Sequence, residues 1–524
     1  VQAQAPKKVS IEGTVTEYNT KEPIAGCVVS IPTLELWVVT DAKGRFRMPS
    51  VTTGSYTIEA TCLGYEPLSY KVTVSAPIRA LSLRLKESSL QLNTVTVTAQ
   101  RGRSINSSST IDRQAMDHLQ ATSVKDVMQL LPGVVTSNPD LTSSSYNFIG
   151  IRDLNPNVTS VEPLSVNSSA VGIYVDGASV KNDASLVGEK ATSFGQPVSK
   201  GIDMRTISTD NIESVEVIRG VASAEYGNMS AGAVIVKTKQ GRTPYEVRVK
   251  AVPNTKAVAL NKGYALGPDK GFLNVGLDYA NAMKDIRTSK EAYDRGTFSV
   301  NYSNTFNRDR TPFQFNAKVS GYLSKGTSKP DVDDASQDER KFLDDKSLSV
   351  NLNGSWLLNK SWITNLKFDA SIYYNDNNSH AHTFYSYASE QPAVHATEEG
   401  YFMANKLPYT YFADQIIDSK ELDYAASLKY EWNRRFKTVN SNLKAGVQWK
   451  ATGNVGEGEY YKDPSLAPNG YRPRPYTTYP YMHNVSLYAE ESLSFPVGNT
   501  MLRLMAGVRW EHLFIKGTKY KNLN

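Results

Sequence analysis

The sequence predicts a mainly β protein with a small N-terminal β-sandwich, a middle segment of mixed α and β structure, and part of an antiparallel transmembrane β-barrel. Three observations lead to this prediction. Residues 8–86 contain short runs of strand-favouring residues separated by turns. Residues 111–241 combine a helical pattern with separated strands. Residues 242–524 contain about eleven alternating strands whose connections alternate between short and long, which is typical of outer-membrane barrels.

The composition excludes several classes of protein. A net charge of +6 over 524 residues, with no basic stripe of interleaved aromatics, argues against nucleic-acid binding. No run approaches the roughly 18 apolar residues of a transmembrane helix. No catalytic triad or phosphate-binding loop stands out, so we expect neither an enzyme nor a cofactor. The opening residues "VQA" resemble the end of a cleaved export signal, with cleavage after Ala3, and predict export.

Cys27 and Cys62 are the only cysteines, and each lies in a strand-like run. Exported proteins meet an oxidising compartment, in which a disulfide is conceivable. Two small buried thiols are the alternative, because the distance between the two Cα atoms cannot be deduced from sequence. Both interpretations stay open at this point.

The short strands of residues 8–86 include "AGCVVSIP", "WVVTDAKGRFRMP" and "GSYTIEATCLGYEP". A turn is predicted from Asp41 to Gly44, and Gly54 opens the next strand. The order of these runs resembles the carboxypeptidase-regulatory-like domain, which implies a transthyretin-like sandwich. No metal ligands or nucleophile accompany the pattern, so the resemblance is to the accessory domain and not to the peptidase.

An isolated strand pattern, "NTVTVTAQ" at 93–100, lies between polar segments. Threonine and valine alternate from Thr94 to Thr98, a period of two that favours a strand. The preceding segment is charged, and residues 102–110 are a Ser-rich linker. We therefore treat 87–110 as a linker that contains an exposed strand without an evident neighbour.

Residues 111–241 carry four motifs in a fixed order. The helix "SVKDVMQLLPGV" at 123–134, with Ser123 as N-cap and Pro132-Gly133 as its end, comes first. It is followed by "YVDG", "IESVEVIRG" and "YG…AGAVIVKTK". This order resembles the plug domain of TonB-dependent outer-membrane transporters, although Arg152-Asp153 and Gly220-Val221 stand where the family often has Arg-Gly and a Pro after "IRG".

The resemblance implies a site for energy coupling and a site that latches the plug. The TonB box is predicted at Thr94, Val95, Thr96, Val97, Thr98 and Ala99. Plug–barrel salt bridges are predicted for Arg219 with Glu213 and Glu216, with ordinary strand polarity as the alternative. Tyr174 and Asp176 also recur in the family's plug.

The function implied is import of a nutrient (a peptide, siderophore, haem or glycan) across a Gram-negative outer membrane, with the N-terminal domain in the periplasm. The C-terminal domain of TonB, in the TonB-ExbB-ExbD complex, is the implied partner. Outer-membrane lipid and the nutrient are further partners, and a surface lipoprotein is left open. The alternative function is a surface binding protein or adhesin that the barrel anchors.

The alternation in "NLKFDASIYY" separates Leu366, Phe368, Ala370, Ile372 and Tyr374 from the residues between them. Tight connections such as "LNKS" and "PVGNT" alternate with long ones at 325–345, 376–420 and 452–482. The short and long connections alternate without exception after the second strand. Eleven strands cannot close an up-and-down barrel, and the family's barrel has about 22. We therefore expect the first half of a barrel, with the remaining barrel segment carried elsewhere.

Candidate ligand contacts lie in the long polar loops. In 376–420 they are His380, His382, Tyr385, Tyr387 and His395, and in the plug loop 136–169 they are Tyr146 and Asn147. His-x-His suits a metal chelate or haem, but a solvated loop is favoured because no further ligand completes the spacing. No metal site is predicted. The acidic run in 331–339 lacks the glycine and final Glu of a calcium loop, so it is interpreted as solvated surface.

Overall fold

A computed structural model describes most of the chain. The described residues are 8–18, 21–24, 26–34, 36–41, 43–62, 65–86, 100–101, 107–128, 130, 141–142, 171–180, 203–219, 223–227, 232–267, 270–307, 311–329, 338–393, 398–436, 439–468, 471, 473, 475–497 and 500–515. Short 3-10 helices lie at Pro32–Leu34, Met204–Thr206, Pro464–Leu466 and Tyr476–Thr478.

The N-terminal domain is a β-sandwich, as predicted. Its strands are β1 (Lys8–Glu17), β2 (Val28–Ile31), β3 (Leu36–Val39), β4 (Arg45–Thr52), β5 (Gly54–Thr61), β6 (Leu68–Val74) and β7 (Ile78–Leu85). They form sheets of order β4-β1-β7 and β3-β2-β5-β6 around an apolar core. The predicted turn is present: Gly44 has φ +69 and donates its N–H to the Asp41 carbonyl at 2.9 Å.

The middle segment forms a mixed sheet covered by helices. Its elements are β8 (Gln100–Arg101), β9 (Ser107–Asp112), α1 (Arg113–Leu119), α2 (Val124–Met128), β10 (Val171–Val175), β11 (Ala178–Val180), β12 (Ile212–Arg219) and β13 (Gly232–Thr238). The sheet order is β11-β10-β13-β12-β9-β8, with β10 and β13 parallel. Met116 and Val127 on the helices pack with Val215 and Val236 on the sheet.

Three local predictions in this segment need correction. Ser123 directly precedes α2, as predicted, but its hydroxyl is buried without a partner in the described part of the chain, so its side chain does not cap the helix. The carboxylate of Asp126 accepts the N–H groups of Thr122 and Ser123 instead, since a charged acceptor binds these free donors more strongly. Helix α1 was not predicted, although Asp112 caps it by accepting the Ala115 N–H.

The third correction concerns the Ser-rich linker 102–110. Ser107–Asp112 form β9, which pairs with β12 from Ser107 opposite Arg219 to Asp112 opposite Ser214. Ser108 and Ser109 are buried. Their short side chains fit beneath neighbouring elements, so a polar composition did not prevent these residues from joining the sheet.

The C-terminal segment is an antiparallel meander. Its strands are β14 (Thr243–Val252), β15 (Thr255–Ala265), β16 (Phe272–Asp285), β17 (Thr288–Phe306), β18 (Phe313–Ser328), β19 (Arg340–Leu357), β20 (Asn365–Ser386), β21 (Gln391–Ala393), β22 (Asn405–Leu407), β23 (Thr410–Phe436), β24 (Val439–Asn454), β25 (Gly458–Tyr461), β26 (Met482–Val497) and β27 (Thr500–Ile515). Within the described residues, the eleven predicted strands form one continuous sheet, to which β25 adds by pairing with β23, while β21 and β22 form a separate two-stranded sheet. Among the described residues this sheet is not closed, because β14 pairs there only with β15 and β27 only with β26.

The predicted long loops are shorter than expected, because strand pairing continues beyond the apolar residues. The connection predicted at 376–420 spans only residues 387–409 in the structure, and the one predicted at 325–345 spans only residues 329–339. The register of β19 and β20 runs unbroken as far as Arg340 opposite His382. The predicted alternation of loop lengths also fails at 286–287, where β16 and β17 join by a tight turn. Polar side chains at these strand ends do not interrupt the main-chain ladder.

The two faces of the meander differ in polarity, as the alternation predicted. In β20 the face of Asp369 and Ser371 lies towards the middle domain, whereas Ile372 on the other face is 48% exposed. Exposed apolar residues on that outer face recur across the sheet, among them Leu277, Leu323, Leu428, Leu487 and Leu504. Such a large exposed apolar surface on a folded protein marks contact with a membrane or another apolar partner. None of the described helices is both long and apolar enough to span a membrane.

Candidate functional site

The contact between the middle domain and the meander starts from a tight turn. Asp176 and Gly177 join β10 to β11 with φ of +50 and +88, the geometry of a type I′ hairpin, for which Asp-Gly is a favoured pair. The Asp176 backbone carbonyl accepts a hydrogen bond from the Asn353 amide at 2.8 Å. The turn therefore presses against the inner wall of β19.

The side chain of Asp176 forms a buried ion pair across this contact. Its carboxylate accepts the Lys318 ammonium at 2.8 Å, and both side chains are 4% exposed. It also accepts the Thr238 backbone N–H at 2.8 Å and the Thr238 hydroxyl at 2.6 Å. Burial alone would raise the pKa of Asp176, but Lys318 and the bonds from Thr238 hold that pKa below its ordinary value. The carboxylate is therefore ionised at neutral pH, and the Lys318 ammonium on β18 of the meander balances its charge.

A second contact is built from two buried arginines. Arg295 on β17 has no exposed surface and pairs with Asp278 on β16 at 2.6 Å. Its guanidinium also donates to the backbone carbonyls of Thr122 and Arg205 in the middle domain. The guanidinium of Arg205 lies 4.3 Å from the centre of the Tyr293 ring. The fixed donors of arginine thus bind backbone carbonyls of the middle domain from the meander.

Four further polar contacts flank these. Arg248 on β14 pairs with Asp210 at 2.9 Å, and the Asn211 amide donates to the Ser299 hydroxyl at 2.7 Å. At the other end of the meander, the Ala224 N–H donates to Glu490 at 2.7 Å. Arg509 donates to the Ala224 carbonyl at 3.1 Å. We call the whole set of contacts, from Arg248 on β14 to Arg509 on β27, the seam.

A cavity of about 190 Å³ lies within the seam, between the β10–β11 hairpin and strands β17 to β20. Polar groups line much of it. The Asn375 amide donates to Asp345 at 2.7 Å, and the Tyr322 hydroxyl donates to the same carboxylate at 3.1 Å. The inner wall is therefore hydrophilic at this cavity.

The structure separates the predicted ligand contacts into two groups. His380 and His382 lie on β20, not in a loop, and their positions share the outward face of Ile372. Each ring nitrogen lies 2.8 Å from the same carboxylate oxygen of Asp414. This location is outside the wall, away from the cavity, which the sequence did not reveal because the predicted loop had no defined faces.

Tyr385 and Tyr387 belong to a tyrosine cluster at the end of the meander with the long connections. The Tyr385 hydroxyl lies 3.0 Å from that of Tyr461, and its ring stacks on Tyr411 at 5.3 Å. Tyr411 and Tyr461 are buried. The cluster holds β25 and the neighbouring loop against β20 and β23, so these tyrosines have a packing role whether or not they bind a ligand.

The other predicted site residues are only partly described. The TonB box (94–99), Tyr146, Asn147 and His395 lie outside the described residues. Among the ion pairs of the described residues, none joins Glu213 or Glu216 on β12 to the meander, and the side chain of Arg219 is not described. The latch at these three residues remains a prediction. The described seam instead contains an ion pair between Asp176 and Lys318. The sequence analysis had noted Asp176 but not Lys318.

The middle domain lies against the polar inner face of an antiparallel meander whose outer face is apolar. This arrangement is typical of a membrane barrel with a plug domain inside it. The model described as "TonB dependent receptor-like, beta-barrel" matches residues 238–522. "TonB-dependent Receptor Plug Domain" matches 101–234, and "CarboxypepD_reg-like domain" matches 11–97. The chain belongs to the TonB-dependent receptor family, whose members are outer-membrane proteins, and the predicted order of the three segments is confirmed. We refer below to the middle domain as the plug and to the meander as the barrel.

Solved structures of similar proteins include the siderophore receptor PirA from Acinetobacter baumannii, with 16% identity, a TM-score of 0.46, and coverage of 78% of this chain and 56% of that one. The ferric citrate transporter FecA in the unliganded form has 16% identity, a TM-score of 0.49, and coverage of 78% and 56%. FpvA of P. aeruginosa, bound to heterologous pyoverdines, has 13% identity, a TM-score of 0.49, and coverage of 83% and 57%. The chain thus spans little more than half the length of these relatives. No curated protein matches its sequence significantly.

Proposed function

We propose that this chain is the plug-bearing part of a TonB-dependent importer that carries a nutrient across the outer membrane. Residues 94–99 act as the TonB box, and TonB pulls on them from the periplasm. The long connections 329–339, 387–409 and 455–481 lie on the extracellular side. The observation that supports this proposal most strongly is the seam, which holds a complete domain inside the barrel wall mainly through polar contacts.

The position of β8 suggests how the pull reaches the plug. Gln100 pairs with Thr110 and Arg101 with Ser109, so β8 is a two-residue edge strand directly after the box. A force on an edge strand breaks its few ladder hydrogen bonds in succession. β9 follows, and it pairs with β12 in the middle of the plug sheet. The force would therefore be transmitted into the plug and towards the seam.

The chemistry of the seam suits a plug that moves. Apart from a small apolar cluster of Leu141 with Ala280, Ala282 and Tyr293 and the stacking of Arg205 on Tyr293, the contacts of the seam are mainly hydrogen bonds and ion pairs. When such groups separate, water can replace the lost partners, so opening costs less than it would at an apolar interface of equal area. Removing a single partner is different, because the remaining charge stays buried.

The partner proposed for the box is the C-terminal domain of TonB within the TonB-ExbB-ExbD complex. An exposed strand can add to the edge of a partner's sheet, and main-chain hydrogen bonds then supply most of the affinity. The substrate is a peptide, siderophore, haem or glycan. Since unpaired strand edges are prohibitive in lipid, we propose that further strands pair with β14 and β27 to close the barrel.

Proline substitutions in the box test this function. Proline removes a backbone donor and fixes φ, whereas isoleucine preserves the strand. We expect Val95→Pro and Val97→Pro to abolish uptake while outer-membrane protein levels and ligand binding stay normal, and Val95→Ile and Val97→Ile to transport normally. Uptake is measured on defined iron, peptide and glycan sources, beside immunoblots of the outer membrane.

The results of these experiments separate energy coupling from two alternatives: a structural role of the segment, and a surface binding function of the whole protein. Normal uptake by both proline variants would contradict the coupling role. Lower levels of folded protein would show that the segment is docked permanently on a domain. If deletion of the gene changed adhesion but no nutrient uptake, the surface binding protein would be the better description.

A further inference from the structure

The two cysteines of the β-sandwich occupy facing positions on neighbouring strands. The register of β2 and β5 pairs Val28 with Thr61 and Val29 with Ala60. One step further along the same antiparallel register, Cys27 stands opposite Cys62. Cys27 directly precedes β2 and Cys62 directly follows β5, so the pair closes the end of this ladder.

The backbone hydrogen bonds of Cys27 show whether the Cys27–Cys62 pair is a hydrogen-bonded or a non-hydrogen-bonded pair of the ladder. Its N–H donates to the Thr40 hydroxyl at 2.9 Å, and its carbonyl accepts the Thr40 N–H at 2.9 Å. Both backbone groups therefore point towards the β3 side and away from β5. The Cys27–Cys62 pair is thus a non-hydrogen-bonded pair, in which Cα atoms lie about 4.5 Å apart and side chains approach most closely. Disulfides span Cα distances of about 4.4–6.8 Å.

The two side chains meet at the edge of the sandwich core. Cys27 is fully buried among core residues, and Cys62 packs against the same core from a partly exposed position. The thiols also hydrogen-bond to each other, and this bond together with burial raises the pKa of Cys27 well above its ordinary value. The two side chains are therefore neighbours, and Cys62 is the more exposed of the two.

We propose that Cys27 and Cys62 form an intramolecular disulfide that joins β2 to β5. The oxidant is a protein disulfide of the periplasm, so this proposal depends on the periplasmic location given under the proposed function. The Cys62 thiolate attacks the oxidant's disulfide and releases one of its thiolates. The Cys27 sulfur then attacks the Cys62 sulfur and displaces the second. Two electrons and two protons pass to the oxidant, which leaves as a dithiol.

Such a bond would stabilise the domain that stands immediately before the TonB box. A sandwich of this size buries a limited core, and small exported domains commonly use disulfides to remain folded. The bridge closes the loop from 27 to 62 and so restricts the unfolded chain. It also holds the end of the β2–β5 ladder, where no backbone hydrogen bond joins the two residues.

Counting thiols in the full chain tests the proposal directly. Cells are treated with N-ethylmaleimide before lysis, and the protein is then denatured in N-ethylmaleimide so that a buried thiol also reacts. One portion is analysed directly by mass spectrometry, and another is first reduced and alkylated again. We expect no alkylated cysteine without reduction and two after reduction with dithiothreitol. Cys27→Ala and Cys62→Ala should each leave one alkylated cysteine without reduction. A tryptic peptide that links the two cysteines should be found only in the unreduced wild type.

Two alkylated thiols in the unreduced wild-type protein would overturn the proposal, as would a mixed disulfide with glutathione or a second chain. Thiol state and transport are separate readouts. Failure of the proposed function would appear as uptake that survives proline in the TonB box, a result that the number of free thiols does not affect.

Discussion

Asp176 and Lys318 show what a single residue contributes to the seam. The turn that carries Asp176 is visible in sequence as "YVDG", because Asp-Gly favours positive φ. Its partner is not visible, since Lys318 is one of several polar residues on the inner face of β18. Sequence alternation identifies the face of a residue but not the domain that the face will meet.

We expect Lys318→Met to loosen the plug, because it leaves the Asp176 carboxylate buried without its counter-charge. Breaking a buried pair in this way costs about 3–5 kcal/mol. The free energy of plug unfolding, measured by urea denaturation of the full receptor in detergent micelles, should fall by about this amount. Adding Asp176→Asn should restore part of the loss.

Lys325→Met is the matched control, because Lys325 is an exposed lysine on the same strand. A surface change of this kind should stay within about 0.5 kcal/mol. Equal losses for Lys318→Met and Lys325→Met would show that the buried pair has no special role.

The same contact predicts a pH dependence. The pKa of Asp176 is lower in the folded protein than its ordinary value of 3.8. A lowered folded pKa adds stability that is present above the unfolded pKa and is lost as pH falls through the folded pKa. We therefore expect the contribution of the ionised carboxylate to be constant between about pH 5 and pH 8 and to decline only below pH 3.8, as pH falls through the still lower folded pKa. Urea midpoints of the wild type and the Asp176→Asn variant, which keeps Lys318 opposite a neutral side chain, should converge at low pH, and a difference that persisted there would contradict the assignment.

At the scale of elements, the number and order of the barrel strands could be predicted but their ends could not. The alternation of apolar residues stops where the strands leave the apolar part of the outer face. Backbone pairing continues beyond that point, and β20 extends to Ser386. The predicted histidine loop thus became a strand, and His380 and His382 moved to the outer face. In the plug, β9 was missed because serines carry little strand signal of their own.

The extended strands predict a pattern of proteolysis. Chymotrypsin should cut the purified receptor after Tyr401 or Phe402, which are exposed within the 387–409 connection, between β21 and β22. Tyr411 and Phe412 are paired within β23 and should be protected. Fragment masses after brief digestion distinguish the sites. Early cleavage after Phe412 would support the longer loop that the sequence suggested.

At the scale of the whole molecule, the sequence predicted the sandwich, the plug and the barrel in their correct order. What it could not supply was their mutual contacts. The seam joins residues more than a hundred positions apart, such as Asp176 to Lys318 and Ala224 to Arg509. No local pattern encodes such pairs, because each partner has an ordinary composition for its own strand or loop.

The central claim is that the plug moves relative to the barrel during transport, and a tether across the seam tests it most directly. A Cβ built on Gly507 of β27 lies 3.0 Å from the Cβ of Ala224 in the plug, and disulfides need about 3.5–4.5 Å between these atoms. A small relaxation should therefore allow Ala224→Cys and Gly507→Cys to form a bond. Both substitutions are made in a Cys27→Ala/Cys62→Ala background, with each single cysteine as a control.

The measurement is nutrient uptake by cells that carry the tethered receptor, before and after reduction. We predict that uptake is lost while the bond is intact and returns when dithiothreitol opens it, with both single-cysteine controls active throughout. Full uptake through a receptor whose tether is shown by mass spectrometry to be closed would contradict the account.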